Sequence, residues 1–470
     1  MLTLADVLEA LTGFRPERAS QVITEASIDS RQVIPGSLFV ALKGERADGH
    51  EFVGAAFERG ANLALVQQVP SDADRLLDLR SGFQPGTGLP EMPFCLLVPD
   101  SLTALQQIAR FWRRQLNLRV IGITGSVGKS TTKELVAEVL EQRFRTLKNP
   151  GNLNNEIGLP LSMLRLSAGH QAAVLEMGFY VPGEIAFLCD LALPQVGVVT
   201  NIGTVHAERA GSQAEIARGK AELVQSLPAE GAAILNYDDP YVRDMAGKTS
   251  ARVFFYGLDP QADLWADQVV GLGLDGIRFR LHYRNETLHV RVPLIGRHSV
   301  HTVMRAAAVG LVEGLTWQEI VSGLRTGHAQ LRLVAVRSKS GALLLDDSYN
   351  ASPESTLAAL NLLDELGGRK VAVLGDMLEL GPYEIRGHEM VGVRAAEVVD
   401  ELVTVGDLAF IIAGAAIRAG LNPKSVTQLE SVEEVIDYLK PRLSKQDVVL
   451  VKGSHGMRMD RIVAALEYRE

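Results

Sequence analysis

The chain has 470 residues, more than one hydrophobic core usually organises, so two to four domains are expected and the patterns below divide it into three. Hydrophobic residues make up 47% and charged residues 22%, the balance of a globular protein, and a net charge of -9 gives no general attraction to nucleic acid or anionic lipid. Cys95 and Cys189, the two cysteines, sit in apolar runs and read as buried thiols of a reducing compartment. The first residues carry no basic segment leading into an apolar core, and no stretch approaches the ~20 apolar residues of a membrane span, which points to the cytoplasm.

Residues 1–98 open with an amphipathic helix over 4–11, followed by a strand over 37–41, a polar loop over 43–50 and a helix from Glu51. That loop carries Lys43, Arg46, Asp48 and His50 ahead of a helix start, a composition that suits a diphosphate or a sugar and equally suits plain solvation. Residues 81–93, rich in glycine and proline, read as a surface loop. In 101–116, Leu102, Leu105, Ile108, Ala109, Trp112 and Leu116 fall at helical spacing, so a domain boundary near residue 100 precedes a helix.

Residues 119–135, RVIGITGSVGKSTTKEL, carry the clearest signal: a short buried strand over 119–124, a glycine-rich turn over 125–129 and a helix over 130–140. A turn between a strand and a helix N-terminus aims several backbone N–H groups and the helix dipole at one anion. Gly125 and Gly128 let the backbone wrap a phosphate, Lys129 brings charge to the outer phosphates, and Ser130 offers a hydroxyl to magnesium. Ile123 stands where G-x-x-x-x-G-K-[ST] has its first glycine.

Further strands over 172–176, 196–201, 232–236 and 253–256, with helical segments among them, predict a parallel or mixed sheet covered on both faces. From about Leu331 the pattern restarts with GALLLDDSY, KVAVLGDM, ELVTVGD and DVVLVKGS, separated by helices such as 353–365 and 383–399, which describes a second doubly wound, Rossmann-like domain. The fold class is α/β throughout, with domains 1–98, 99–330 and 331–470.

Candidate ligands lie where strands end. Glu176 closes a buried strand, so its carboxylate suits the magnesium that Ser130 also holds. His206 follows the strand over 196–201, where a lone histidine is as readily a satisfied polar group. The spacing around Lys220 favours a lysine snorkelling at a helix edge. NPGNLNNEIGLP, residues 149–160, packs four asparagines, as solvent loops and loops that recognise polyhydroxylated or peptide ligands both do. Asp346 and Asp347 end a strand where aspartate accepts ribose hydroxyls, Asn350 anchors the next turn or touches a ligand, and the glycine-lysine pair of VKGSHGMR is weak evidence alone.

In this order, TGSVGKSTTK, GNLNNEIGLP, LEMG, TNIGTVHAE and the lysine of IARGKAEL resemble the Mur ligase family, ATP-dependent amide-forming enzymes that build the peptidoglycan stem peptide. The resemblance covers residues 29–459, and within it Ile123 is an ordinary feature. DDSYNASPES, LGDMLELG and the N-terminal IDSRQVIPGSLFVALKGERADGHEF are similar to the family member that adds D-alanyl-D-alanine.

The resemblance implies an N-terminal uridine-nucleotide domain, a central ATPase-type domain and ligation of D-alanyl-D-alanine to UDP-N-acetylmuramoyl-tripeptide, by a monomer. It implies that ATP meets Thr124, Gly125, Ser126, Val127, Gly128, Lys129, Ser130, Thr131, Thr302, Arg332 and Asp347. Two magnesium ions fall to Ser130 with Glu176 and to His206 with Lys220, the lysine as a CO2-derived carbamate, and Lys129, Glu176, His206 and Lys220 become the catalytic set. Substrate contacts fall to Ser30, Arg31, Lys43, Asp48, His50, Asn152, Asn154, Asn155, Tyr349 and Asn350.

Two positions depart from the family pattern. Ser299 and Thr302 stand where asparagines are expected, and a hydroxyl cannot donate and accept as an amide does toward adenine. QLR replaces a P-G-R before the last domain, keeping Arg332. The alternatives are a sibling or folate-polyglutamylating ligase, which the lack of a histidine after Tyr349 disfavours, and a nucleotide-gated binding protein without ligation.

Overall fold

The structure, a computed structural model, describes residues 1–44, 47–70, 75–83, 88–204, 207–326 and 334–468. It is α/β throughout and forms three sheets of five, nine and six strands. The chain separates into two compact units, the first comprising Met1–Gly122, Phe144–Gly178 and Glu184–Val196, the second Ile123–Arg143, Phe179–Gly183 and Gly197–Glu470. Among the described residues no helix is long and apolar enough to cross a membrane, and both cysteines are buried.

In the first unit the chain enters on the helix Leu4–Thr12, whose Thr3 and Asp6 form a reciprocal cap and whose end falls at Gly13 in the left-handed region. Strands β1 (Ala26–Ser27), β2 (Leu38–Val40), β3 (Leu63–Val66), β4 (Leu76–Asp78) and β5 (Phe94–Leu97) form a parallel sheet in the order β1-β2-β3-β5-β4. The runs LFV, LALV and FCLL are buried at every position, as strands of a parallel sheet require. Asp100 caps the helix Ser101–Arg114, which carries the predicted apolar stripe. Strand β6 (Arg119–Thr124) then runs from the first unit into the second, and β7 (Thr146–Lys148) pairs in parallel with β8 (Ala172–Glu176) inside the first.

The second unit holds the helix Lys129–Leu140 and the strands β9 (Val196–Val199), β10 (Ala232–Asn236), β11 (Arg252–Gly257), β12 (Leu264–Gly271), β13 (Ile277–Tyr283) and β14 (Glu286–Val292), which follow one another across their sheet. β12, β13 and β14 form an antiparallel meander that the sequence reading does not contain, because their alternating burial leaves a weaker apolar signal than the buried parallel strands. The predicted strand over 196–201 stops at Val199, and Thr200 and Asn201 turn away to make the contacts described below.

The last sheet contains β15 (Val334–Arg337), β16 (Leu343–Asp346), β17 (Arg369–Gly375), β18 (Glu401–Val405), β19 (Val426–Leu429) and β20 (Asp447–Lys452), in the order β15-β16-β20-β17-β18-β19. All its pairings are parallel except that of β15, which with β19 adds an edge strand to the four predicted runs. Alternate side chains enter separate cores: Leu345, Ala372, Leu374, Leu402 and Leu450 on one face, Leu344, Val371, Val373, Val403 and Val449 on the other. A sheet buried on both faces is the doubly wound arrangement, and it collects its loops at the strand C-termini, where Asp346, Gly375 and Lys452 lie.

Candidate nucleotide and catalytic site

The glycine-rich turn after β6 is closed by the segment after β9. Gly125 adopts φ 144°, and a Cβ there would lie 1.8 Å from Thr200 Oγ1, so only glycine fits. Thr200 Oγ1 donates to the Val127 carbonyl at 2.7 Å, Asn201 Oδ1 accepts from the Val127 amide at 2.9 Å, and the Gly203 amide donates to Ser126 Oγ at 2.8 Å. Gly128, at φ 82°, caps the helix Lys129–Leu140, and Lys129 Nζ folds back to donate to the Gly125 carbonyl at 2.9 Å. The loop is therefore shaped before a ligand arrives. Thr200 and Asn201 hold the loop in place, although the expected strand over 196–201 includes them and only the switch from VGVV to the polar TN marks them out.

A cavity of about 400 Å³ opens beside this loop, entirely within the second unit. Ser126, Val127, Gly128, Lys129, Ser130 and Thr131 line it, whereas Thr124 and Gly125 do not. Asp347 and Asn350 also face it, together with Thr302 and two residues not predicted, Arg305 and Lys452. Lys452 is buried and donates to Asp347 Oδ2 at 2.6 Å and to the Asn350 carbonyl at 2.9 Å, so the discounted glycine-lysine pair of VKGSHGMR orients the predicted aspartate. Ile295, Ala358, Ala359 and Leu362 supply apolar lining suited to a nucleobase.

Charge in the cavity is managed by burial and pairing. Burial, with His301, Arg305 and Lys452 adding like charge, pushes His298 down to about 4, so its imidazole is neutral at physiological pH. Burial alone would raise Asp238, but hydrogen bonds from His301 and the Leu258 amide outweigh it and hold the carboxyl below its usual range. Burial holds Tyr256 up at about 12, and its hydroxyl donates to the Thr200 carbonyl at 3.1 Å behind the loop.

In the first unit, Glu176 is 1% exposed at the end of β8. Asn149 clamps its backbone, accepting from its amide at 2.9 Å, and Asn154 Nδ2 donates to Oε1 at 2.8 Å. Oε2 is buried without a hydrogen-bond partner, and a carboxylate oxygen so placed suits a hard cation such as magnesium. Asn155 Oδ1 accepts from the Gly158 amide at 2.9 Å, and Asn152 is exposed. Asn149 and Asn154 of the amide-rich loop thus hold Glu176, and Asn155 fixes the start of the next helix.

Lys220, on the helix Gln213–Gln225, is 1% exposed, with Nζ 4.5 Å from the centre of the Phe179 ring. This corrects the expectation of a snorkelling lysine, because the side chain points inward onto the Phe179 ring. His206 and Arg332 lie outside the described residues.

Elsewhere in the first unit, Ser30 begins a short 3-10 turn, and Arg31 pairs with Asp29 at 2.8 Å while its side chain stays exposed. Lys43 and Asp48 bridge the polar loop through their backbones. His50 is buried, its Nδ1 2.6 Å from Asp48 Oδ1 and its Nε2 accepting from the Gln67 amide at 3.1 Å, so both ring nitrogens are engaged within the fold. Tyr349, in the second unit, is exposed with its ring 5.7 Å from that of His455.

A phosphate loop whose strand, turn and helix open onto a cavity shared with a doubly wound sheet defines a nucleotide-binding α/β enzyme class. Family models match in three places: the Mur ligase middle domain over residues 123–310, the Mur ligase glutamate ligase domain over 331–455, and the Mur ligase family catalytic domain over 22–75. The chain is 35% identical to UDP-N-acetylmuramoyl-tripeptide--D-alanyl-D-alanine ligase of Bacillus subtilis, over 99% of this chain and 98% of that one. Its structure resembles MurF from Acinetobacter baumannii, with a TM-score of 0.84 at 30% identity over 99% of this chain and 98% of that one. MurF ligase from Thermotoga maritima in complex with ADP gives 0.77 at 28%, over 94% and 96%. The chain belongs to the Mur ligase family, whose members are ATP-dependent, ADP-forming ligases.

Proposed function

We propose that this protein joins D-alanyl-D-alanine to UDP-N-acetylmuramoyl-tripeptide at the expense of ATP, through an acyl phosphate. The observation that carries this reading is the cavity in which the preformed phosphate loop faces the Asp347–Lys452 pair, in a chain related over its whole length to a ligase of that activity. The tripeptide carboxylate attacks the γ-phosphorus, the bond to the β–γ bridging oxygen breaks, and ADP leaves. The dipeptide amine then adds to the acyl carbon, phosphate departs, and the amine loses a proton. Lys129 and the amides of the helix N-terminus offset the charge that otherwise keeps carboxylate and triphosphate apart.

Magnesium would neutralise the triphosphate, and Ser130, Glu176, His206 and Lys220 as its carbamate are the residues that would hold its ions. The unpartnered oxygen of Glu176 and the burial of Lys220 support this assignment. Asp347 takes the ribose hydroxyls, Thr302 and Arg332 complete the ATP contacts, and Tyr349 with Asn350 faces the dipeptide. Ser30, Arg31, Lys43 and Asp48 meet the uridine nucleotide, with His50 fixing their loop, and Asn152, Asn154 and Asn155 lie on the peptide side. In this reading 1–98, 99–330 and 331–470 are the uridine-nucleotide, ATP and dipeptide domains of a cytoplasmic monomer.

The test is phosphate release from ATP in the presence of the UDP-muramoyl tripeptide, with D-alanyl-D-alanine, single amino acids or no acceptor. Release that requires the dipeptide is the expected result. Release with a single amino acid instead, or none with any acceptor, overturns the reading.

A further inference from the structure

Arg305, on the helix Ser299–Val312, is a charged side chain 4% exposed in the wall of the cavity. Its Nη2 donates to Thr302 Oγ1 at 2.7 Å, and its guanidinium carbon lies 5.9 Å from the centre of the Tyr256 ring. Nη2 also lies 3.2 Å from the position a Cβ would take at Gly128, which sets the guanidinium directly against the phosphate loop. Among the described residues no carboxylate pairs with it, and its Nε is buried without a hydrogen-bond partner.

The neighbouring acids are already engaged. Asp238 binds His301 at 2.9 Å, and Asp239 accepts from the amides of Ile202, Tyr241 and Val242. Asp347 binds Lys452, and Glu354 accepts from the Thr204 amide at 3.2 Å. A guanidinium withdrawn from water with no counter-charge is costly, and an arriving anion relieves that cost. The fork of N–H donors matches phosphate oxygens better than any neutral group of a nucleoside.

We infer that Arg305 is a further nucleotide-binding residue, which holds the phosphate chain beside Gly128 and uses that chain as its missing counter-ion. This rests on the nucleotide occupying the cavity. The hydrogen bond to Thr302 sets the height of the guanidinium above Gly128, which gives Thr302 a positioning role in place of an amide-like reading of adenine.

The experiment measures binding of ATP, ADP and adenosine to the full-length protein by displacement of a fluorescent nucleotide, for wild type, Arg305→Met, Arg305→Lys and Lys129→Met. Arg305→Met weakens ATP and ADP about 10- to 100-fold, the span of charge-assisted hydrogen bonds, and leaves adenosine within about twofold. Arg305→Lys recovers part of the loss, and carries the test if the methionine variant does not fold. Unchanged ATP affinity in Arg305→Met while Lys129→Met loses it overturns the role of Arg305 alone. An equal loss for adenosine overturns it too, because the arginine then serves the base or the fold. Unchanged ATP affinity in Lys129→Met removes the nucleotide from this cavity and overturns the reading beneath it.

Discussion

Lys452 Nζ lies 2.6 Å from Asp347 Oδ2, joining the ends of β20 and β16, which are adjacent in the sheet though more than a hundred residues apart in the chain. With Lys452 2% exposed, neither charge is well solvated once the other is gone. Lys452→Met is expected to cost about 3–5 kcal/mol in urea unfolding, the usual penalty for orphaning half of a buried pair. Asp347→Asn in the same background restores part of that stability but not nucleotide affinity. A single variant as stable as wild type would show that the pair does not organise the site.

The opposite sign is expected at Glu176. Its carboxylate is buried with one oxygen bound by Asn154 and the other unpartnered, a strained arrangement for a protein without bound cation. Glu176→Gln leaves the apo protein as stable as wild type or more so. It removes the additional thermal stabilisation that magnesium confers on the complex with a non-hydrolysable ATP analogue. Thermal shifts with and without magnesium check this, and a magnesium increment that survives the substitution would remove Glu176 from the metal site.

The sheets and the phosphate loop were legible because both depend on local pattern: apolar runs such as VAVLG and VVLVK can only be buried strands, and GSVGKS can only turn tightly into a helix. Glu176 was legible for the same reason, as a charge closing an apolar run. Lys220 was not, because amphipathic spacing gives the face of a helix without what packs on it, and Phe179 approaches from a segment some forty residues earlier. Arg305 and Lys452 escaped because their meaning lies in partners distant in sequence, Gly128 and Asp347. Composition left the asparagines of 149–160 open between solvation and ligand recognition, and it could not show that Asn154 spends its amide on Glu176 and Asn155 its carbonyl on a helix start.

His298 gives a pH dependence with a defined sign. Its folded value of about 4 lies below the ordinary 6.5, because burial and the positive charges of His301, Arg305 and Lys452 disfavour the imidazolium. Between these values the unfolded chain binds a proton that the folded protein refuses, so stability falls as pH drops from 6.5 toward 4. Unfolding free energies from urea titrations at about pH 7 and pH 5 should differ by about 2 kcal/mol more in wild type than in His298→Gln. Parallel pH profiles for the two proteins would mean that His298 titrates normally.

Lys220 carries the last prediction. A lysine 1% exposed, with its amine over the face of Phe179, is turned inward, and in the proposed reading CO2 adds to its nitrogen with loss of a proton. Lys220→Ala should abolish nearly all ligation while nucleotide affinity stays measurable, since Lys220 does not line the cavity that contains the phosphate loop. Assay in CO2-depleted buffer should lower wild-type turnover, and added bicarbonate should restore it. Short carboxylic acids supplied to Lys220→Ala should recover part of the rate by replacing the carbamate's oxygens. Near-normal turnover in the variant, or indifference of the wild type to CO2 alongside failure of rescue by acids, would leave Lys220 as a core lysine held by Phe179.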